Sequence, residues 1–228
     1  NLDPKPQPKK TSSFAQETLH EVAIANLTTP SETLSSEDNQ KAVIEAPVDQ
    51  SLIVEAPPGT GKTFCLIQRV ANLISLGSLT PSEVLILSFT RPTVAEIYSR
   101  LKAEASTYEY LDDLNYIDVA TFDSFATRIL TNAGIDNLEQ GYSKRIEQFT
   151  KSLDKEPVIE LLSNIKVLFI DEIQDLINER ALMALGLIDL VLRNGGSVTL
   201  LGDRHQAIYD WDDSNKHNSF SSNDFRET

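Results

Sequence analysis

The sequence predicts an α/β fold in which a parallel β-sheet carries helices on both faces. Three observations predict it. From residue 39 onward, short aliphatic runs alternate with amphipathic stretches, the pattern of right-handed β-α-β units. The runs are apolar throughout rather than at every second residue, as strands covered on both sides require. The first run ends in a glycine- and proline-rich loop that opens directly into a helix, Ala56-Pro57-Pro58-Gly59-Thr60-Gly61-Lys62-Thr63.

The elements follow in order. Residues 51–56 read as a buried strand ending at that loop. Residues 62–76 read as a helix, with Leu66, Val70, Leu73 and Ile74 at helical spacing. Residues 84–89 form a second strand and 93–106 a second helix. Residues 117–120 are a third, weaker strand, followed by a helix from Ser124. Residues 166–170 are a fourth strand, ending at Asp171-Glu172, and a helix spans about 178–192. Residues 197–201 are the fifth strand. Ligands of such folds sit at the carboxyl ends of the strands, and every motif below lies at such an end.

Residues 1–38 are rich in Pro, Lys, Ser, Thr and Glu and read as a tail or linker. Residues 39–213 read as the nucleotide-binding domain, and 214–228 as a connection leading out of it. The chain of 228 residues has 40% hydrophobic residues and a net charge of -14, which argues against a protein that mainly coats nucleic acid but leaves room for a local basic groove. No run is apolar enough to span a bilayer and no signal segment is visible. The one cysteine, Cys65, is followed by Leu66 and Ile67, so it reads as a small buried residue. A cytoplasmic location without a membrane partner is the expectation.

The chemistry resides in three strand tips. In the loop 56–63, glycines let backbone N–H groups turn towards a β-phosphate and the following helix aims its positive end at it. Lys62 provides a charge between the β- and γ-phosphates, and Thr63 a hydroxyl for magnesium. The expected ligands are therefore ATP and Mg2+. At the fourth tip, Asp171 is placed to hold magnesium and Glu172 to orient and deprotonate the attacking water. At the fifth, Gly202-Asp203-Arg204-His205-Gln206 brings Gln206 to sense the γ-phosphate. His205 is given no role. Trp211, the only tryptophan, reads equally as a stacking platform for a base or as a cap on the core.

Taken together, Ala56–Thr63, Leu87-Ser88-Phe89-Thr90-Arg91, Thr121-Phe122-Asp123-Ser124-Phe125, Ile170-Asp171-Glu172-Ile173-Gln174-Asp175 and Gly202–Tyr209 resemble motifs I, Ia, Ib, II and III of the UvrD/Rep-type superfamily 1 DNA helicases, whose first lobe is a RecA-like P-loop NTPase domain. Order and spacing agree from Gln40 to Trp211. The resemblance implies that Gln40 hydrogen-bonds the adenine. Ala56, Pro57, Pro58, Gly59, Thr60, Gly61, Lys62 and Thr63 would enclose the phosphates, and Arg100 would approach the nucleotide. Gln174 and Gln206 would couple the γ-phosphate to DNA movement. Phe89, Thr90, Arg91, Phe122, Arg128, Tyr209 and Trp211 would line a path for single-stranded DNA.

The sequence departs from the family pattern mainly on the DNA side. Arg91-Pro92 stands where Asn-Lys is usual, Asp123 where His is usual, and Asp212-Asp213 follows Trp211 where Arg-Gly is usual. The insertion between motifs Ib and II, at about 131–165, is much reduced. Motifs IV to VI lie outside the sequence, so the resemblance implies a missing C-terminal lobe, in cis or in trans, that provides the arginines facing the phosphates. The leading expectation is one lobe of an ATP-dependent helicase, weak alone. The competing one is a free-standing nucleotide-binding regulatory module without motor activity.

Overall fold

A computed structural model describes residues 36–107, 114, 116–135 and 138–203. In chain order its elements are α1 (Ser36–Glu45), β1 (Leu52–Glu55), α2 (Lys62–Ser75), β2 (Val84–Ser88), α3 (Arg91–Thr107), β3 (Asp118–Thr121), α4 (Phe122–Asn132), α5 (Tyr142–Thr150), α6 (Glu156–Leu162), β4 (Val167–Ile170), α7 (Asn178–Arg193) and β5 (Ser197–Gly202). The five strands form one parallel sheet in the order β1-β5-β4-β2-β3.

The strands alternate their apolar side chains between two cores, because successive residues of a strand point to opposite faces. Leu85, Leu87, Leu168, Ile170, Val198 and Leu200 pack on one side with residues of α4, α5, α6 and α7. Val84, Ile86, Val167, Phe169 and Leu201 pack on the other with α2 and α3. Helices therefore cover both faces, as the apolar strands predict.

Each expected strand and helix forms, with ends displaced by a residue or two. Helix α3 begins at Arg91 rather than 93 because Thr90 caps it: the Thr93 N–H donates to Thr90 Oγ1 at 3.2 Å. Pro92 sits in its first turn, where the missing N–H is harmless. Helix α4 begins at Phe122 rather than 124. Thr121 and Ser124 form a reciprocal cap, with Ser124 N–H donating to Thr121 Oγ1 at 3.2 Å and Thr121 N–H to Ser124 Oγ at 3.1 Å. Helix α1 begins at Ser36, ahead of the expected boundary at 39.

The short segment between motifs Ib and II is built into the core. Ile146, Phe149, Val158 and Leu162 of α5 and α6 are buried, and Phe149 meets Phe125 of α4 edge to face at 5.9 Å between ring centres. Cys65 is buried, and burial pushes its thiol pKa up, which matches its reading as an unreactive apolar residue.

Candidate functional site

The strand order sets the site. Strand β5 lies between β1 and β4, so the tips of β1, β5 and β4 stand side by side at one edge of the sheet. These tips carry the loop 56–63, Gly202-Asp203 and Asp171-Glu172. The Ala56 N–H donates to the Gly202 carbonyl at 3.1 Å, tying the start of the loop to the neighbouring strand.

The loop has the backbone that its glycines allow. Gly59 and Gly61 have φ values of 77° and 94°, a region that side chains with a Cβ rarely occupy. Gly61 precedes the first residue of α2, whose exposed backbone N–H groups and dipole favour an anion. Lys62 is buried and folds back over the loop, donating from Nζ to the Ala56 carbonyl at 3.1 Å. Thr60 Oγ1 donates to the Pro57 carbonyl at 2.6 Å, which holds the turn closed. Gln40, on α1, donates from Nε2 to the Thr60 carbonyl at 3.0 Å. A Cβ on Gly61 would sit 3.0 Å from that same Nε2, so the close approach of Gln40 depends on glycine there.

At the tip of β4, Asp171 is only 1% exposed. Burial first, and the Glu172 charge second, push its pKa up to about 6; the Glu172 N–H, which donates to Asp171 Oδ1 at 3.1 Å, and the charge of Lys62 oppose them, while Glu96 of α3 adds to the rise. A bound cation would offset the cost of this buried charge.

Glu172 adopts a left-handed backbone, φ 55° and ψ 53°, uncommon for a residue other than glycine, asparagine or aspartate. The Gln174 side chain fixes the tip. It donates from Nε2 to Glu172 Oε2 at 2.5 Å and accepts the Asp203 N–H on Oε1 at 3.0 Å. One amide thus joins the tips of β4 and β5. The contact needs Gly202, because a Cβ there would lie 2.6 Å from Ile173 Cγ1 and 3.1 Å from Gln174 Oε1.

The residues fit Mg2+ with a nucleoside triphosphate. Among the described residues no group of three or more His, Cys, Asp or Glu gathers as a metal cage. Magnesium is the ion commonly held by one carboxylate with phosphate and water completing its shell. Asp171 and the Thr63 hydroxyl are the groups that could hold it, and the loop 56–63 with Lys62 could cradle the phosphates.

The residues expected on the DNA side have mixed placements. Phe89 is half-buried, with the Arg180 guanidinium 5.1 Å from its ring centre. Thr90 and Arg91 are exposed. Arg128 is exposed, ion-paired with Asp118 and 5.4 Å from the Phe125 ring centre. Arg100 is exposed and donates to Glu96 Oε1 at 2.7 Å. Phe122 requires correction: it is 0% exposed. As the first residue of α4 it turns inward onto the core, where it has no face to offer a base. Gln206, Tyr209 and Trp211 lie outside the described residues, as do most of 1–38 and all of 214–228.

Three features escaped the sequence reading. Asp123 accepts a forked bond from Arg180 of α7, with Nη2 at 2.9 Å from Oδ2 and 3.1 Å from Oδ1 and Nε at 3.3 Å from Oδ2. The partners lie 57 residues apart, and nothing local signals the pairing. The bridging geometry of Gln174 depends on strand order, which periodicity does not encode. Arg69 is wholly buried; its signal was present, as an arginine inside the apolar stripe of Leu66, Val70 and Leu73.

Known proteins match this picture. The family model described as UvrD/REP helicase N-terminal domain matches residues 36–156 and 131–225. The chain belongs to that family. DNA helicase II of Escherichia coli is 31% identical over 142 residues, covering 61% of this chain and 18% of its own. The probable DNA helicase II homolog of Mycoplasma pneumoniae is 31% identical over 123 residues, covering 52% of this chain and 17% of its own. This family member thus spans less than a fifth of those relatives. The structure of Pif1 helicase from Candida albicans aligns with a TM-score of 0.40 at 21% identity, over 75% of this chain and 32% of that one, a match too loose to add to the family assignment. No helix of the described residues is long and apolar enough to cross a membrane.

Proposed function

We propose that this chain is the ATP-binding lobe of a helicase, which with a second lobe couples Mg-ATP hydrolysis to movement along single-stranded DNA and duplex unwinding. The observation that carries the reading is Lys62 at the tip of β1 and Asp171 and Glu172 at the tip of β4, the two strands that flank β5, with Gln174 bridging the tips of β4 and β5.

Loop 56–63 and Lys62 bind the phosphates, and Gln40 lies where the base would emerge from the loop. Asp171 and Thr63 hold the metal, which polarises the transferred phosphoryl group when bound. Glu172 accepts the proton of the attacking water, in an orientation set by Gln174. Because Gln174 also accepts the Asp203 N–H, a shift of Glu172 is felt at the start of the segment containing Gln206, Tyr209 and Trp211. Phe89, Thr90, Arg91 and Arg128, with Tyr209 and Trp211, are the proposed contacts to the single strand, aromatic rings stacking on bases and arginines meeting phosphates. Arg100 is proposed to act near the nucleotide through Glu96. Cations from a second lobe complete the charge on the transition state, a contribution worth several orders of magnitude in related phosphoryl-transfer sites.

Steady-state ATPase of this chain, with and without single-stranded DNA, tests the proposal. Nucleotide binding with slow turnover is expected. Brisk DNA-stimulated hydrolysis by the chain alone refutes the half-site arrangement, and nucleotide binding with no DNA affinity at low salt, alone or joined to a second lobe, supports the regulatory-module alternative.

A further inference from the structure

Among the described residues Arg69 is one of the largest fully buried side chains, and it belongs to none of the motifs. It projects from α2, the helix that starts at the phosphate loop. Among the described residues no carboxylate pairs with it; instead its guanidinium donates to three backbone carbonyls, from Nη1 to Ala46 at 2.6 Å and Val43 at 3.0 Å and from Nη2 to Pro47 at 2.9 Å. Its Nε has no partner. One turn further along α2, Asn72 donates to the Ile44 carbonyl at 3.2 Å. Burying a guanidinium among neutral groups is costly, and desolvation lowers its pKa to about 10, so it stays charged at neutral pH.

The four acceptors share a location. They are the last carbonyls of α1 and the first beyond it, the groups that a helix end leaves unsatisfied, and a cation there also meets the negative end of the helix dipole. Gln40 lies one turn before this clamp on the same helix. Its Nε2 must face the Thr60 carbonyl, since only the amide nitrogen can donate, so its Oε1 is directed elsewhere as an acceptor. The clamp therefore fixes the position of Gln40 relative to the phosphate loop from below, through the same helix α2 that begins at Lys62.

We infer that Arg69 is a positioning residue for nucleobase recognition: by clamping the end of α1 onto α2 it holds the Gln40 amide at the distance from the phosphate loop that selects one base over another. The inference rests on the reading that Gln40 faces the base. A guanidinium suits the task because its planar fork serves three carbonyls at once, which a lysine cannot do with the same geometry.

Calorimetric titration of this chain with Mg-ATP, Mg-GTP and Mg-triphosphate tests it. Arg69→Met is expected to weaken ATP about tenfold, the equivalent of one well-placed hydrogen bond, while inorganic triphosphate binds as before, so that the preference for ATP over GTP collapses. Arg69→Lys restores part of the preference. If Arg69→Met does not fold, Asn72→Ala, which releases a single carbonyl, is expected to give the same signature at smaller amplitude. A uniform loss for all three ligands, or an unchanged ATP preference, overturns the inference. Gln40→Ala separates the two levels: if it abolishes the preference and the clamp variants do not, the positioning role fails alone; if it leaves the preference intact, the reading beneath fails as well.

Discussion

Replacing Asp171 with asparagine converts a titrating group into a fixed neutral one of the same shape. In the metal-free protein Asp171 titrates near pH 6 rather than 3.8, so the folded state binds that proton more tightly than the unfolded chain does. The sign follows from linkage: Asp171 is no burden below about pH 4, becomes increasingly unfavourable between about pH 4 and 6, and carries its full cost above that. At about 1.4 kcal/mol for each tenfold in proton affinity, the interval between 3.8 and about 6 amounts to roughly 3 kcal/mol. Asp171→Asn should therefore gain on the parent by roughly this amount as pH rises from 4 to 7.5. Urea unfolding of both proteins in EDTA, at several pH values across that range, measures it. The difference between the two proteins is the quantity to follow, since the other carboxylates cancel. Parallel stability curves would refute the account of Asp171 as a buried, electrostatically strained carboxylate. Added Mg-ATP should reverse the order at pH 7.5, because the parent gains a ligand for its charge and the variant does not.

Lys62→Ala should abolish measurable ATP binding by calorimetry while the thermal midpoint moves little, since its one bond, to the Ala56 carbonyl, is worth about 1 kcal/mol. Glu172→Gln should keep nucleotide affinity and lose turnover by about 100-fold or more when assayed with the second lobe present; turnover equal to the parent would remove Glu172 as the base. Gly202→Ala should cost about 1–3 kcal/mol in denaturant unfolding, because the new Cβ meets Ile173 at 2.6 Å, and should uncouple the tips of β4 and β5. A double-mutant cycle on Asp123 and Arg180, whose side chains are 18% and 24% exposed, should yield a coupling of about 1 kcal/mol or more in stability, above that of an exposed pair; additive effects would reduce the pair to a surface contact.

The fold was legible because its strands are covered on both faces. An apolar run such as Val167-Leu168-Phe169-Ile170 has few other readings before a polar tip, and the glycines of the phosphate loop declare the turn that they make possible. The strand-tip half of the candidate site could be located for the same reason, since its residues sit immediately after strands. What was not legible is whatever depends on which strands are neighbours. Gln174 could be singled out by motif, but its hold on Asp203 exists only because β5 lies beside β4. Phe122 was set on the DNA path by its place in a motif; the Thr121–Ser124 cap starts α4 at Phe122, whose ring is buried in the core. Asp123, which stands where the family pattern has His, is engaged by Arg180, a pairing visible only in three dimensions.

The sheet order has a consequence for how the chain is made. Among the described strands, β1, which carries the phosphate loop, has one neighbour, β5, and β5 follows the other four in the chain. A nascent chain that has emerged only as far as residue 196 lacks the strand with which β1 pairs among the described strands. Strand β5 brings the phosphate loop and the Asp171 tip together, so a ribosome stalled before Ser197 would present a chain that contains the loop without the strand that seats it beside Asp171.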